Sequence, residues 1–202
     1  MIALPLAVLV LVAAVLSTKF ISRDEVEAAG QEQRFDPAAY ADERFESEIV
    51  PQVQDDAIDL PTLLADLADG ADEADFGNSP GSGSAYSFPV EFSGVAGELS
   101  GTVLPITVEG VSSDVTVQVQ VGPALNGTAL RDVTGTVSFN EFTNQLEFQE
   151  VATELNNKVR EGVLADVDPA SLAGKTIRVV GAFTAVNPAL VSVVPVELEV
   201  SP

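Results

Sequence analysis

Apolar and polar residues change rhythm along this chain, and the changes mark its elements. Val115, Val117, Val119 and Val121 alternate with Thr116, Gln118 and Gln120, the two-residue period of a strand with one buried and one wet face. From Thr143 the spacing widens. Phe148, Val151, Ala152, Leu155, Val159 and Val163 recur at three- and four-residue intervals, with Gln149, Glu150, Glu154, Asn157 and Arg160 opposite, which predicts an amphipathic helix over about 143–163. Between strand and helix, Gly122, Pro123, Asn126 and Gly127 break both periods and predict turns.

The same reading extends to both sides. Phe88, Val90 and Phe92 alternate with Ser87, Pro89 and Glu91, Gly94 and Gly97 mark a bend, and Leu104, Ile106 and Val108 alternate with Thr107 and Glu109, so two strands form a hairpin ahead of the one at Val115. Beyond the helix, Asp168-Pro169 and Gly174 reset the chain. Ile177, Val179, Gly181 and Phe183 then share a face of a fourth strand, Asn187-Pro188 turns, and Val194, Val196, Leu198 and Val200 share a face of a fifth. Pro195 interrupts that fifth strand and predicts an edge or a bulge there. Three strands, a helix and two strands make a mainly β, α+β chain: the order is that of an OB-like five-stranded barrel with a helix between strands three and four. The competing layout is a β-sandwich with an inserted helix, for which the strands are few.

Ahead of the strands, Asp36-Pro37 reads as an N-cap with proline in the first turn. Tyr40, Phe45, Ile49 and Val53 then recur at helical spacing, predicting a helix from Pro37 to about Asp56. Leu60, Leu63, Leu64 and Leu67 after Asp59 predict a short second helix ending near Gly70, and both pack on the domain. Asn78–Ser84 reads as a flexible loop. The organisation is therefore 1–22 a membrane anchor or signal segment, 23–85 an acidic helical segment with a flexible linker, and 86–202 the barrel. Met1–Leu16 is unbroken apolar sequence that extends through Ile21 to about the length of a bilayer span. No basic residues precede it and no small-residue cleavage site follows, which favours an uncleaved anchor over a signal peptide.

Charge and composition narrow the chemistry. A formal net charge of −22, from 9 basic and 31 acidic residues, argues against nucleic acid as a partner, since phosphates are repelled. Absence of histidine and cysteine removes the commonest general base, thiolate nucleophiles and zinc–thiolate sites. No GxSxG or SxxK pattern supplies a serine nucleophile, and no Gly-rich phosphate loop is present. The reading is of a protein that is not an enzyme and needs no cofactor; an unrecognised hydrolase is the remote alternative. Asp66, Asp69, Asp72, Glu73 and Asp75 cluster, but their spacing does not follow an EF-hand loop, so the cluster reads as a solvated linker and no metal site is expected.

The phrases GPALNGTALRD, SFNEFTNQLEFQEVATELN and GKTIRVVGAFTAVNPALVSVVPVELEV resemble a bacterial domain-of-unknown-function family described as predicted periplasmic lipoproteins. The likeness covers Gly122–Val200 and, more weakly, Phe35–Leu67. It implies an extracytoplasmic, membrane-attached protein, often encoded near sugar-uptake transporters, with no established activity or catalytic residues. Many members carry a cysteine for lipid attachment, which this chain lacks, so a single-pass helix is the expected anchor. Lys19 and Arg23 on its C-terminal side favour a cytoplasmic domain; the acids Asp24, Glu25 and Glu27 and the resemblance place the domain outside the membrane.

One polar set stands out: Asn126, Arg131, Asp132, Asn140, Asn144 and Gln145. Arg offers a fixed fork of donors, and Asn and Gln offer both donors and acceptors, which suits a sugar, a carboxylate or another protein's backbone. The structural alternative is that Arg131 and Asp132 pair internally and that Asn140 or Thr143 caps the helix. Arg131 lies outside the regions an OB barrel usually uses for binding, the face of strands two and three and the loops after strands one and four; a recognition role requires it to be exposed. The functional expectation is a membrane-anchored accessory or binding protein with a sugar-like ligand or an envelope or transporter partner. The alternative is a purely structural protein-interaction module.

Overall fold

The computed structural model describes residues 35–201, and from Asp36 onward they belong to one compact unit. The expected anchor, 1–22, lies outside the described residues. Among those described, no helix is long and apolar enough to cross a membrane.

The N-terminal helices form where the apolar spacing predicts. Helix α1 (Pro37–Arg44) starts at Asp36, whose carboxylate accepts from the amides of Ala38 and Ala39. It passes through a π-helical turn, Phe45–Ile49, into α2 (Val50–Asp55). The wide turn has a sequence cause. Ala41, Phe45, Ile49 and Val53 are all buried, yet a four-residue repeat drifts by about 40° per step around a regular α-helix. One turn in which the Val50 amide bonds back to the Phe45 carbonyl absorbs the drift and also accommodates Pro51, which has no amide hydrogen. A two-residue strand, β1 (Ile58–Asp59), and helix α3 (Leu60–Ala68) follow, with Asp59 capping α3 through Thr62.

The barrel strands are β2 (Ser87–Ala96), β3 (Val103–Val108), β4 (Thr116–Gln120), β5 (Thr176–Thr184) and β6 (Leu190–Val200). They pair in the ring β2-β3-β4-β6-β5, and β5 closes back onto β2. All contacts are antiparallel except β4 with β6, which runs parallel from Thr116–Leu190 to Val119–Val193. That is the partly open Greek-key barrel expected from the element order. The bend expected at Gly94 is absent: β2 runs through it to Ala96, because the missing side chain makes room for Ile106 and the Thr107 carbonyl, 2.6 Å from where a Cβ would sit. The irregularity expected at Pro195 is a bulge. Gly181 faces Pro195 while Val180 faces Glu197, so Val196 is extra and the proline, with no donor to offer, sits at the break.

Phe88, Val90, Leu104, Val119, Ile177 and Val193 fill the interior. Between β4 and β5 the chain forms α4 (Ala129–Asp132) and α5 (Gln145–Glu161). Helix α5 packs its buried stripe, Phe148, Val151, Ala152, Leu155 and Val159, against α1, α4 and β6. The N-terminal helices pack on the barrel domain, as their apolar spacing leads one to expect. β1 adds in parallel to β2, Ile58 beside Val90, and α1 meets α5 with a Lys158–Asp42 ion pair at the margin.

Arg44, Arg131, Lys158, Arg160 and Arg178 are used in ion pairs, which among the described residues leaves most of the acids without a cation beside them. Repulsion among unscreened carboxylates works against the compact state. The melting temperature should therefore rise as NaCl is increased from about 20 mM to about 500 mM, over which the Debye length falls from roughly 20 Å to below 5 Å. A fall would show that exposed ion pairs outweigh the self-repulsion.

Candidate functional site

The six polar residues singled out from the sequence do not converge. Arg131 and Asp132 are 3% and 4% exposed and face each other in a two-pronged pair, Arg131 Nε to Asp132 Oδ1 at 2.7 Å and Nη2 to Oδ2 at 3.0 Å. The third nitrogen of the guanidinium donates to the Phe148 carbonyl at 3.1 Å, and the Phe148 ring lies 3.5 Å from its central carbon. Thr128 Oγ1 donates to Asp132 Oδ2 at 2.6 Å. With Nε, Nη1 and Nη2 all donating internally, Arg131 holds α4 against the first turns of α5. The binding role drawn for it and for Asp132 is corrected to that of a structural clasp.

Phe148 extends the clasp outward. Its ring packs 5.5 Å from Phe139 and 5.4 Å from Phe142, which meets Tyr40 of α1 edge-on at 5.5 Å. Burial pushes the Tyr40 phenol well above its ordinary value, so it stays protonated and donates to Glu141 Oε2 at 3.1 Å. Asn140 and Gln145 are exposed, and Asn140 belongs to a short 3-10 turn (Phe139–Glu141) closed by a Ser138–Glu141 capping box. The cap of α5 is Asn144, not Asn140 or Thr143: its Oδ1 accepts from the amides of Leu146 and Glu147 at 2.9 and 3.1 Å. Of these three residues, Asn144 organises the helix start.

Asn126 is different. It lines a cleft of about 280 Å³ between the outer surface of β4 and β6 and the β5–β6 loop, together with Gln120, Thr184, Val186, Asn187 and Leu190. The cleft is built from the turn upward. Gln120 uses its whole carboxamide on the Asn126 backbone, Oε1 accepting from the amide at 2.7 Å and Nε2 donating to the carbonyl at 3.0 Å. Asn156 of α5, itself buried, holds the Gly127 carbonyl at 3.0 Å. The backbone is thereby fixed while the exposed Asn126 side chain makes no internal hydrogen bond among the described residues. Asn187 Oδ1 accepts from the Ala189 amide at 3.0 Å, which leaves its Nδ2 available. Thr184 is engaged with Ser87 at 2.8 Å.

A second cleft, of about 400 Å³, lies on the other side of the same loop, walled by Leu64 and Leu67 of α3 and by Pro188 and Leu190. Sequence reasoning missed both loop sides because Asn187-Pro188 reads as a turn. The signal available was positional: in the expected barrel this is the loop after strand four, one of the two that OB barrels use for contacts. The acids of 66–75 remain on the surface, Asp72 capping the short turn Glu73–Asp75 through the Ala74 amide. Among the described residues no group of three or more metal-ligating side chains converges.

A closed five-stranded barrel with this strand order, a parallel third and fifth strand and a helix before the fourth defines an OB fold. A solved structure agrees: an OB-fold protein from Thermotoga maritima superposes with a TM-score of 0.64 over 84% of this chain and 100% of that one, at 20% identity. The sequence places the chain more narrowly. It belongs to the family described as predicted periplasmic lipoprotein (DUF2291), whose model matches residues 8–199. No curated protein matches the sequence.

Breaking the clasp should cost stability rather than binding. Arg131→Ala leaves the Asp132 carboxylate buried without its counter-charge and is expected to lower the unfolding free energy by ~3–5 kcal/mol, read by urea denaturation. Replacing both at once, Arg131→Met with Asp132→Leu, should cost less than either single change. Equal stability of the single variant and the parent would refute the clasp.

Proposed function

We propose that this protein is an extracytoplasmic, membrane-attached accessory module that works by binding a small polar ligand, sugar-like in chemistry, in the cleft beside Asn126. The observation that carries this reading is the free Asn126 carboxamide set on an immobilised turn opposite Asn187 Nδ2. Amide donors and acceptors held on a rigid backbone suit hydroxyl recognition, since little side-chain freedom is lost on binding. Val186 and Leu190 supply aliphatic walls against which the apolar face of a sugar ring can rest. The setting beside the β5–β6 loop matches how OB barrels present oligosaccharide sites. Family membership supports the envelope location, and a role beside sugar-uptake systems is the physiological setting this reading favours.

The mode of attachment is part of the proposal. The family description points to a lipid anchor, but the chain has no cysteine to accept a thioether-linked lipid, and the apolar run Met1–Leu16 supports a membrane helix instead. Protease added to intact spheroplasts should then remove the barrel while sparing the cytoplasm; full protection of the barrel would overturn the outside location.

Ligand binding is tested by thermal shift with a panel of pentoses, hexoses and disaccharides. A true ligand at about a hundredfold excess over its Kd is expected to raise the melting temperature by roughly 5 °C or more. Asn126→Ala should abolish the shift without lowering the unliganded melting temperature. No shift with any sugar would favour the second reading, a protein-interaction module, for which the apolar second cleft is the specific observation.

A further inference from the structure

The geometry points to a docking site for a basic polypeptide segment in the cleft between α3 and the β5–β6 loop. The site goes beyond the small-ligand reading and does not depend on it. Its origin lies in α3, which carries two apolar stripes on nine residues. Leu60 and Leu63 point into the core and are fully buried. Leu64, Leu67 and Ala68, at the same three- and four-residue spacing, form a second stripe that the core does not use and that lines the cleft instead. Phe183 and Val191, both buried, make its base, and Ala185, Pro188 and Leu190 its far wall.

The cleft opens to solvent, because Ala68 and Pro188 are exposed and Leu64 and Leu67 only half-buried. At about 400 Å³ it has the volume to accept a leucine- or phenylalanine-sized anchor with a neighbour. Exposed apolar surface gathered at one place, with a pocket for an anchor side chain, is how interaction sites are built.

Charge selects the occupant. Glu73 lines the cleft; Asp69 and Asp72 flank Ala68 and Glu73 in sequence, and Asp114 precedes Val115 at the other end. All four are exposed, and among the described residues none of them is in an ion pair and no lysine or arginine lines the cleft. An acidic margin around an apolar pocket favours a segment with lysines or arginines on either side of its anchor. It disfavours an anionic membrane surface, and it disfavours a second copy of this chain, which carries the same excess of acids.

Anisotropy of a short dye-labelled peptide with a leucine-phenylalanine-leucine centre and lysines at both ends, titrated with the full-length protein in neutral detergent, tests the site. The lysine-flanked apolar peptide is expected to bind at least about tenfold more tightly than one with glutamate ends and than one with lysine ends and a serine centre. Leu67→Asp and Glu73→Lys should each weaken it about tenfold or more, and added salt should weaken it further. Glu73 is exposed, so that variant reports even if Leu67→Asp does not fold. Asn126→Ala should leave peptide binding unchanged, which separates this site from the ligand cleft. Equal binding of the serine-centred peptide, indifference to both variants, or preferential capture of phosphatidylglycerol vesicles would overturn the proposal.

Discussion

Closure of the barrel rests on one ladder, the antiparallel pairing of β2 with β5 from Ser87–Thr184 to Val95–Thr176. These strands are separated in sequence by β3, β4, α4 and α5, so the ladder ties the first barrel strand to the fourth across that whole stretch. Both clefts lie beside the loop that leaves its end. The loop that follows Thr184 is held at its start by the Ser87–Thr184 hydroxyl contact and at its finish by the parallel pairing of β6 with β4. The loop is thus pinned on both sides, with a cleft on either face.

The clasp at Arg131 and Asp132 solves a different problem. A four-residue helix such as α4 has too few hydrogen bonds to persist alone, yet it must hold α5 in place after a turn rich in Gly and Pro. Neutralising a buried guanidinium with the adjacent carboxylate, and stacking it on Phe148, converts two charges into a fixed joint. The aromatic series from Phe148 through Phe142 to Tyr40 passes that fixity to α1. The long amphipathic helix is therefore anchored from the barrel side and from the N-terminal side.

Periodicity made most of the fold legible. The alternation of Val115–Val121, the stripe of α5 and the Asp36-Pro37 start of α1 each reflect local geometry, and each was sufficient to place its element. The candidate site was less legible, for reasons visible in particular residues. For Arg131 the sequence leaves a binding role and an internal pairing both open, because nothing local reveals that Phe148, seventeen residues on, will cover it. Asn140, Thr143 and Asn144 are all competent caps, and only the extended backbone at Asn144 decides among them. Gly94 reads as a bend because sequence does not distinguish a glycine needed for φ from one needed for space. The two clefts escape for the same reason: Leu64 and Pro188 meet only through the completed barrel.

The short strand β1 has a consequence for how molecules of this protein meet one another. β3 pairs with β2 only over Gly94–Ala96, which leaves the earlier part of that edge open to recruitment by any extended chain. Ile58–Asp59 occupies it beside Val90 and Glu91, and the Asn78–Ser87 bridge covers its beginning. Both additions come from the acidic segment that precedes the barrel. That segment thus covers the part of the β2 edge that β3 leaves unpaired, and so removes a template on which the strands of two molecules would otherwise pair edge to edge.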